Sequence, residues 1–400
     1  MRPVAPVAVD AAGPPLPPRS GPCGVESHRT WLFRTAQPVP GSVVSMSTPS
    51  DATPVPEDAL ATEQRTAAVI YNPVKVHLPT LKRTVNRYQR EAGWAETKWY
   101  ATSEEDPGGG MAREALEAGA DVIAAAGGDG TVRAVAEVVH GSDAALALLP
   151  SGTGNLLARN IPAPIDDLGA SAHTIFHGED RKIDIGTVHV ERPDGSREQF
   201  GFLVMAGLGL DARMLVNTND DLKKKVGWLA YVDSLVRSLR DADAFEFRYR
   251  LDGQSTRSVR AHSLIVGNCG MLQAGATLLP DAEIDDGYFD VVVMRPHGFF
   301  GWVRIGARVF WENAILRRFR RSALGKTEIG RTIVTKTRDE RPLRYLRGEE
   351  FTARLERPDE FEIDGDPVGE VRAFRAKIDA GGLTVRVAGP EDQTRATRRR

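Results

Sequence analysis

The sequence predicts an α/β protein with a β-rich second half: a doubly wound nucleotide-binding α/β domain followed by a β-sandwich. Three observations predict it. Apolar strands alternate with helices from residue 67 to about 149, and from about residue 180 strands follow strands with few helices between them. Two glycine turns, Gly127-Gly128-Asp129-Gly130-Thr131 and Pro150-Ser151-Gly152-Thr153-Gly154-Asn155, each stand between a strand and a helix.

In chain order, Ala67-Ala68-Val69-Ile70-Tyr71 is an apolar strand that ends at Asn72-Pro73. Helices are expected over residues 78–92, 111–118 and 132–139, and strands over 97–100, 121–126 and 144–149. Alternation at this spacing specifies a parallel sheet covered on both faces. Further strands are expected at 188–190, 200–205, 245–251, 259–266, 288–294, 331–336, 351–355, 371–378 and 383–387. Helical insertions at 222–239 and 299–319 interrupt them. The expected domains are 64–178, completed by about 370–388, and 179–369.

Residues 1–63 are rich in Pro, Ala, Ser and Gly and lack an apolar period, which predicts a disordered leader. Met46 is an alternative start, and residues 389–400 form a basic tail. With a net charge of -2 over 400 residues, a chain that coats nucleic acid is excluded. Two cysteines, Cys23 and Cys269, cannot build a disulfide framework or a cysteine zinc site, which fits a reducing cytoplasm. No apolar run approaches the roughly 20 residues that a spanning helix needs.

The first glycine turn is built for an anion. Glycines let the backbone approach a phosphate, and the helix that follows presents free N–H groups. Asp129 in such a turn makes sense when Mg²⁺ lies between its carboxylate and nucleotide phosphates. The turn matches neither the P-loop nor the dinucleotide pattern. Ser151, Gly152, Thr153 and Asn155 of the second turn suit phosphate or ribose oxygens, though alone they would be a capped helix start. Two such turns from neighbouring strands converge on the carboxyl edge of the sheet, where open α/β sheets bind ligands.

These turns, with Asn72-Pro73, Ala158-Arg159, Gly207-x-Gly209-x-Asp211-Ala212, the run from Pro280 to Tyr288 and Asp364-Gly365-Asp366, resemble the diacylglycerol kinase catalytic-domain family, which is related to the sphingosine kinases. The resemblance runs from about residue 66 to 388 with the motifs in the family's order. It implies the two-domain fold shared with NAD kinases, ATP in the cleft, and phosphoryl transfer to a lipid hydroxyl, most simply that of diacylglycerol. By motif position, Asn72, Gly127, Gly128, Asp129, Gly130, Thr131, Val132, Arg133 and Thr153 would line the nucleotide, with Thr102 added by position alone. It also implies Mg²⁺ at the Asp286 carboxylate and the backbone oxygens of Glu283 and Tyr288, separate from the Mg²⁺ at Asp129. Asp364-Gly365-Asp366 stands where the family has Asp-Gly-Glu, whose carboxylate takes the acceptor proton. Whether Asp366 or Asp364 is that base stays open, and an Asp-Gly pair is also an ordinary hairpin turn. After Asn72-Pro73, Val74-Lys75-Val76 replaces the Ser-Gly pair of many members, so Lys75 could bring charge where they bring a hydroxyl. Gln273-Ala274-Gly275 replaces consecutive glycines.

The segment 299–321 combines Phe299, Phe300, Trp302 and Trp311 with Arg317, Arg318, Arg320 and Arg321. It reads either as a basic amphipathic helix on an anionic membrane or as a helix packed on the sandwich. The expected partner is therefore a lipid at the inner membrane face, with no nucleic acid and a homodimer left open. Two other activities share part of the pattern: an NAD kinase, and a nucleotide-gated lipid-binding regulator with little catalysis.

Overall fold

The computed structural model describes residues 64–209, 244–271, 278–295 and 343–389. The expected leader, the helical segments at 222–239 and 299–319, the strand at 331–336, the 273–275 segment and the tail beyond Gly389 lie outside the described residues.

The first half follows the alternation written in its sequence: β1 (Ala67–Tyr71), α1 (Leu78–Glu91), β2 (Lys98–Ala101), α2 (Gly109–Glu117), β3 (Val122–Ala126), α3 (Asp129–Val139) and β4 (Ala145–Leu148). The strands lie in the order β2-β1-β3-β4 and all pair in parallel. Each parallel connection is a helix, and the alternating side chains of each strand feed two cores. Ala67 and Val69 pack with Leu81 and Val85 of α1 and with Ile175 and Phe176 of α5 (Leu168–His177). Ala68 and Ile70 pack on the other face with Ala112 of α2 and with Val132 and Val135 of α3. α4 (Leu156–Asn160) is a short helix after β4.

The second half is antiparallel. β5 (Glu179–Glu191), β6 (Arg197–Phe202), β7 (Met205–Leu208), β8 (Phe245–Leu251), β9 (Arg257–Ala261), β10 (Ser263–Gly267), β11 (Phe289–Met294), β12 (Leu343–Gly348), β13 (Glu350–Ile363) and β14 (Asp366–Val387) close around Phe202, Phe247, Phe289, Phe351, Phe361 and Phe374. β14 joins the two halves. Its start pairs with β13, its length with β5, and Val385 meets Leu146 of β4 in parallel. The end of β14 thus enters the α/β sheet, while Asp366 at its start lies beside Arg133 of α3.

Candidate functional site

β3 and β4 are neighbours, and both run into glycine turns at the same edge of the sheet. The turns touch. Ser151 donates its amide to the Gly127 carbonyl at 3.0 Å. A Cβ on Gly152 would stand 2.7 Å from the Gly128 Cα, so the backbones cross at a distance only glycine permits. Asp129 fastens the pair, its Oδ1 accepting the Leu156 amide at 2.6 Å. Asn155, at φ 47°, closes the second turn by accepting the Gly152 amide (3.1 Å) and donating to the Gly152 carbonyl (2.8 Å). The Ser151 hydroxyl donates to the Leu149 carbonyl, and Thr153 is exposed at the tip. Thr131 and Val132 are buried and offer a ligand little side-chain surface. The N-terminus of α3, with its partial positive charge, opens at this edge.

The facing wall is the β13–β14 hairpin. Ile363 pairs with Asp366 across Asp364-Gly365, whose φ values of 51° and 90° give the turn type that an Asp-Gly pair favours. The Asp-Gly pair thus forms the ordinary hairpin turn, with Asp366 at its end. Asp366 is about half exposed, with a side-chain accessibility of 49%. Its Oδ2 comes within 3.1 Å of where a Gly130 Cβ would be, and it pairs with Arg133 Nη2 at 3.1 Å. Arg133 Nη1 also donates to the Ile363 carbonyl at 2.6 Å, so this guanidinium ties α3 to the hairpin. Asp364 points the other way. It is buried and accepts the amides of Leu203, Val204 and Met205 at 2.9, 2.8 and 2.9 Å. Burial pushes its carboxyl up to about 6, against the pull of those amides and of Arg133.

Asn72 lies beside the loop, donating its amide to the Ala126 carbonyl at 2.9 Å. Its side chain is engaged in its own turn, where Oδ1 accepts the Val74 amide at 3.0 Å. The turn carries Lys75 over Gly128. Thr102 sits at the end of β2, buried, its amide bound to the Tyr71 carbonyl and its methyl facing the Gly108 position. That is one strand beyond β1, on the same edge as the glycine turns.

The acidic run is arranged differently. Asp286 Oδ2 pairs with Arg347 Nη2 at 2.5 Å, and its Oδ1 accepts the Tyr288 amide at 3.0 Å. The Arg347 guanidinium also lies 4.7 Å from the centre of the Tyr288 ring. Asp285 is held by Arg181, and Glu283 is exposed. Both Asp286 oxygens thus have donors, and a guanidinium stands where a divalent cation at this carboxylate would bind. The residues as placed do not fit a metal there.

Asp129 fits better. Burial pushes its carboxyl up, the amides of Leu156 and Asn155 pull it back, and neighbouring Asp366 adds to the rise. Among the described residues no three His, Cys, Asp or Glu side chains gather to cage a metal ion.

Sequence reasoning passed over Asp184. It is buried, accepts the amides of Gly287 and Gly381 at 2.7 Å each, and donates its amide to the Ile284 carbonyl. It pins the acidic run to β14. The one signal was a charged residue between Ile183 and Ile185 in a strand.

Comparison with known proteins agrees with this arrangement. Residues 66–188 match the family described as "Diacylglycerol kinase catalytic domain", and residues 204–310 match the "YegS C-terminal NAD kinase beta sandwich-like domain". The chain is 34% identical over 209 residues to the "Probable lipid kinase YegS-like" of Pseudomonas aeruginosa (strain UCBPP-PA14), covering 52% of this chain and 65% of that protein. It is 30% identical over 243 residues to the "Diacylglycerol kinase" of Staphylococcus aureus (strain JH9), covering 58% of this chain and 71% of that one. A crystal structure of a diacylglycerol kinase from Bacillus anthracis str. Sterne shares the fold, with TM-score 0.56 and 18% identity over 82% of this chain and 99% of that one. Paired glycine turns facing an Asp-Gly-Asp hairpin, and these matches across both halves, place the chain in the diacylglycerol kinase catalytic-domain family.

Proposed function

We propose that this chain is an ATP- and Mg²⁺-dependent lipid kinase that transfers the γ-phosphate of ATP to a lipid hydroxyl, with diacylglycerol as the leading acceptor and phosphatidic acid as product. One observation carries the reading: Arg133 holds the Asp366 carboxylate at the rim of the Gly127–Thr131 turn. A carboxylate beside a phosphate turn can accept the proton of an acceptor hydroxyl as its oxygen attacks phosphorus. In that step the acceptor O–P bond forms, the bond from the γ-phosphorus to the bridging oxygen breaks, ADP leaves, and Asp366 takes the proton. The backbone amides at the start of α3 orient the phosphates and stabilise the charge that builds on them. Mg²⁺, when bound, neutralises the phosphate oxygens, and Asp129 is the side chain placed to hold it.

The acceptor is inferred from chemistry and kinship. The names of the relatives speak of lipid kinases and of a diacylglycerol kinase. Among the described residues no helix is long and apolar enough to cross a membrane. Because the proposed acceptor is a lipid, we propose that the enzyme works at the cytoplasmic face of a membrane, with the 299–321 segment as the candidate contact.

The test offers γ-labelled ATP with Mg²⁺ to the full chain alongside diacylglycerol in mixed micelles, a sphingoid base, or NAD. Label in phosphatidic acid is the expected result. Label in NAD phosphate alone would sink the lipid reading, and label in the sphingoid base alone would move the acceptor but keep the chemistry.

A further inference from the structure

We infer that Lys75 is a nucleotide-binding residue that neutralises the polyphosphate at the glycine turn, reaching it from the end of β1. This deepens the kinase reading and rests on it. The backbone around Lys75 is fixed to the turn it serves. Asn72 donates its amide to the Ala126 carbonyl, the last residue before Gly127. Its side chain accepts the Val74 amide, and its carbonyl accepts the amides of Lys75 and Val76 at 3.1 and 3.2 Å. These bonds make a tight turn that points Lys75 across the loop.

The ammonium arrives over Gly128. Lys75 Nζ lies 2.7 Å, and Cε 3.9 Å, from the place a Cβ on Gly128 would take. Gly128 is also where the second turn crosses, since Gly152 packs on its Cα. The cation therefore stands above the junction of the two turns, at the N-terminus of α3. Its charge is not spent inside the protein: Lys75 is exposed, and among the described residues no carboxylate lies in ion-pair range of its ammonium. The two nearby aspartates are committed elsewhere, Asp129 to the Leu156 amide and Asp366 to Arg133.

An uncommitted ammonium over Gly128, at the N-terminus of α3, is the arrangement an anion completes. Lysine acts there as a mobile point charge with three donors, suited to phosphate oxygens whose positions shift during transfer. The ligand class is a nucleoside di- or triphosphate rather than a nucleoside, because the charge sits over the turn.

The experiment measures Mg²⁺-ATP, Mg²⁺-ADP and adenosine binding by calorimetry on the full chain and on Lys75→Met and Lys75→Arg, with steady-state KM and kcat for ATP. Lys75→Met should weaken ATP and ADP by about ten- to a hundredfold. It should leave adenosine unchanged and raise KM for ATP more than it lowers kcat, and Lys75→Arg should recover most of the affinity. Thermal unfolding of both variants should match the wild type, as expected for an exposed side chain. Wild-type affinity in Lys75→Met, or an equal loss for adenosine, overturns the role of Lys75 and leaves the kinase reading standing. A wild type that binds none of the nucleotides overturns both.

Discussion

The glycine edge and the acidic run at residues 280–288 are both rich in carboxylates, and the difference lies in what neutralises them. In the acidic run the two adjacent aspartates each have an arginine, Asp285 with Arg181 and Asp286 with Arg347. At the glycine edge the charge of Asp366 adds to the rise of the Asp129 carboxyl, one arginine serves Asp366, and one lysine is unspent. Adjacent acidic residues are a structural brace where arginines of the protein meet them. They become a place for chemistry where charges of the protein are left over for a ligand.

That contrast is sharpest at the hairpin, and breaking it there should have the largest effect. Asp366→Asn should lower kcat by about 10²–10⁴-fold while Mg²⁺-ATP still binds, and Asp366→Glu should restore turnover. Arg133→Met frees Asp366 without removing it, and kcat should fall by about tenfold, measured at saturating ATP.

Asp364→Asn acts through the fold instead. It disturbs three amide bonds and should cost about 2–3 kcal/mol in a denaturant titration, with turnover per folded molecule far less affected than in Asp366→Asn. The pH dependence has a definite sign. Burial raises the Asp364 carboxyl to about 6 in the folded state, above its unfolded value. Its contribution to stability is therefore full below about pH 4 and lost as pH rises through 6. The gap between wild type and Asp364→Asn should narrow over that window by up to ~2–3 kcal/mol. A gap that widens instead contradicts the placement of Asp364.

The smallest effect belongs to the acidic run. Its arginine pairs are partly solvated, so Arg347→Met should cost about 1 kcal/mol or less. Chelation of divalent ions should leave the thermal midpoint of the wild type unchanged. A drop of several degrees on chelation would make the run a metal site after all.

The first half of the fold was legible because β1, β3 and β4 are continuous apolar runs bounded by Gly, Pro or Asn. The second half was legible in kind but not in extent. β5 reads as Val188 to Val190 yet runs Glu179–Glu191, because its first four residues are charged with none of them buried, and Asp184 interrupts the apolar residues that follow. β14 reads as two strands and is one, with an irregularity between Asp379 and Leu383. α5 carries Gly, Ala, Ser and Thr, which leave no strong apolar period.

At the site, the glycine turns could be read from residue type and spacing. The choice between Asp366 and Asp364 could not, since it depends on which side chain the amides of Leu203 to Met205 claim. Arg133 was expected among the nucleotide-lining residues. Its partners in the structure, Ile363 and Asp366, lie more than two hundred positions along the chain. The metal expected at Asp286 met an arginine from β12, a strand the sequence pattern did not disclose.

The most direct test is a single-turnover assay of wild type and Asp366→Asn side by side, with γ-labelled ATP, Mg²⁺ and diacylglycerol in mixed micelles. Rapid transfer of label to phosphatidic acid by the wild type, with ATP bound but not consumed by Asp366→Asn, is the predicted result. Equal transfer by both proteins, or none by the wild type with ATP bound, would contradict the claim that the glycine turns and the Asp366 carboxylate form one phosphoryl-transfer site.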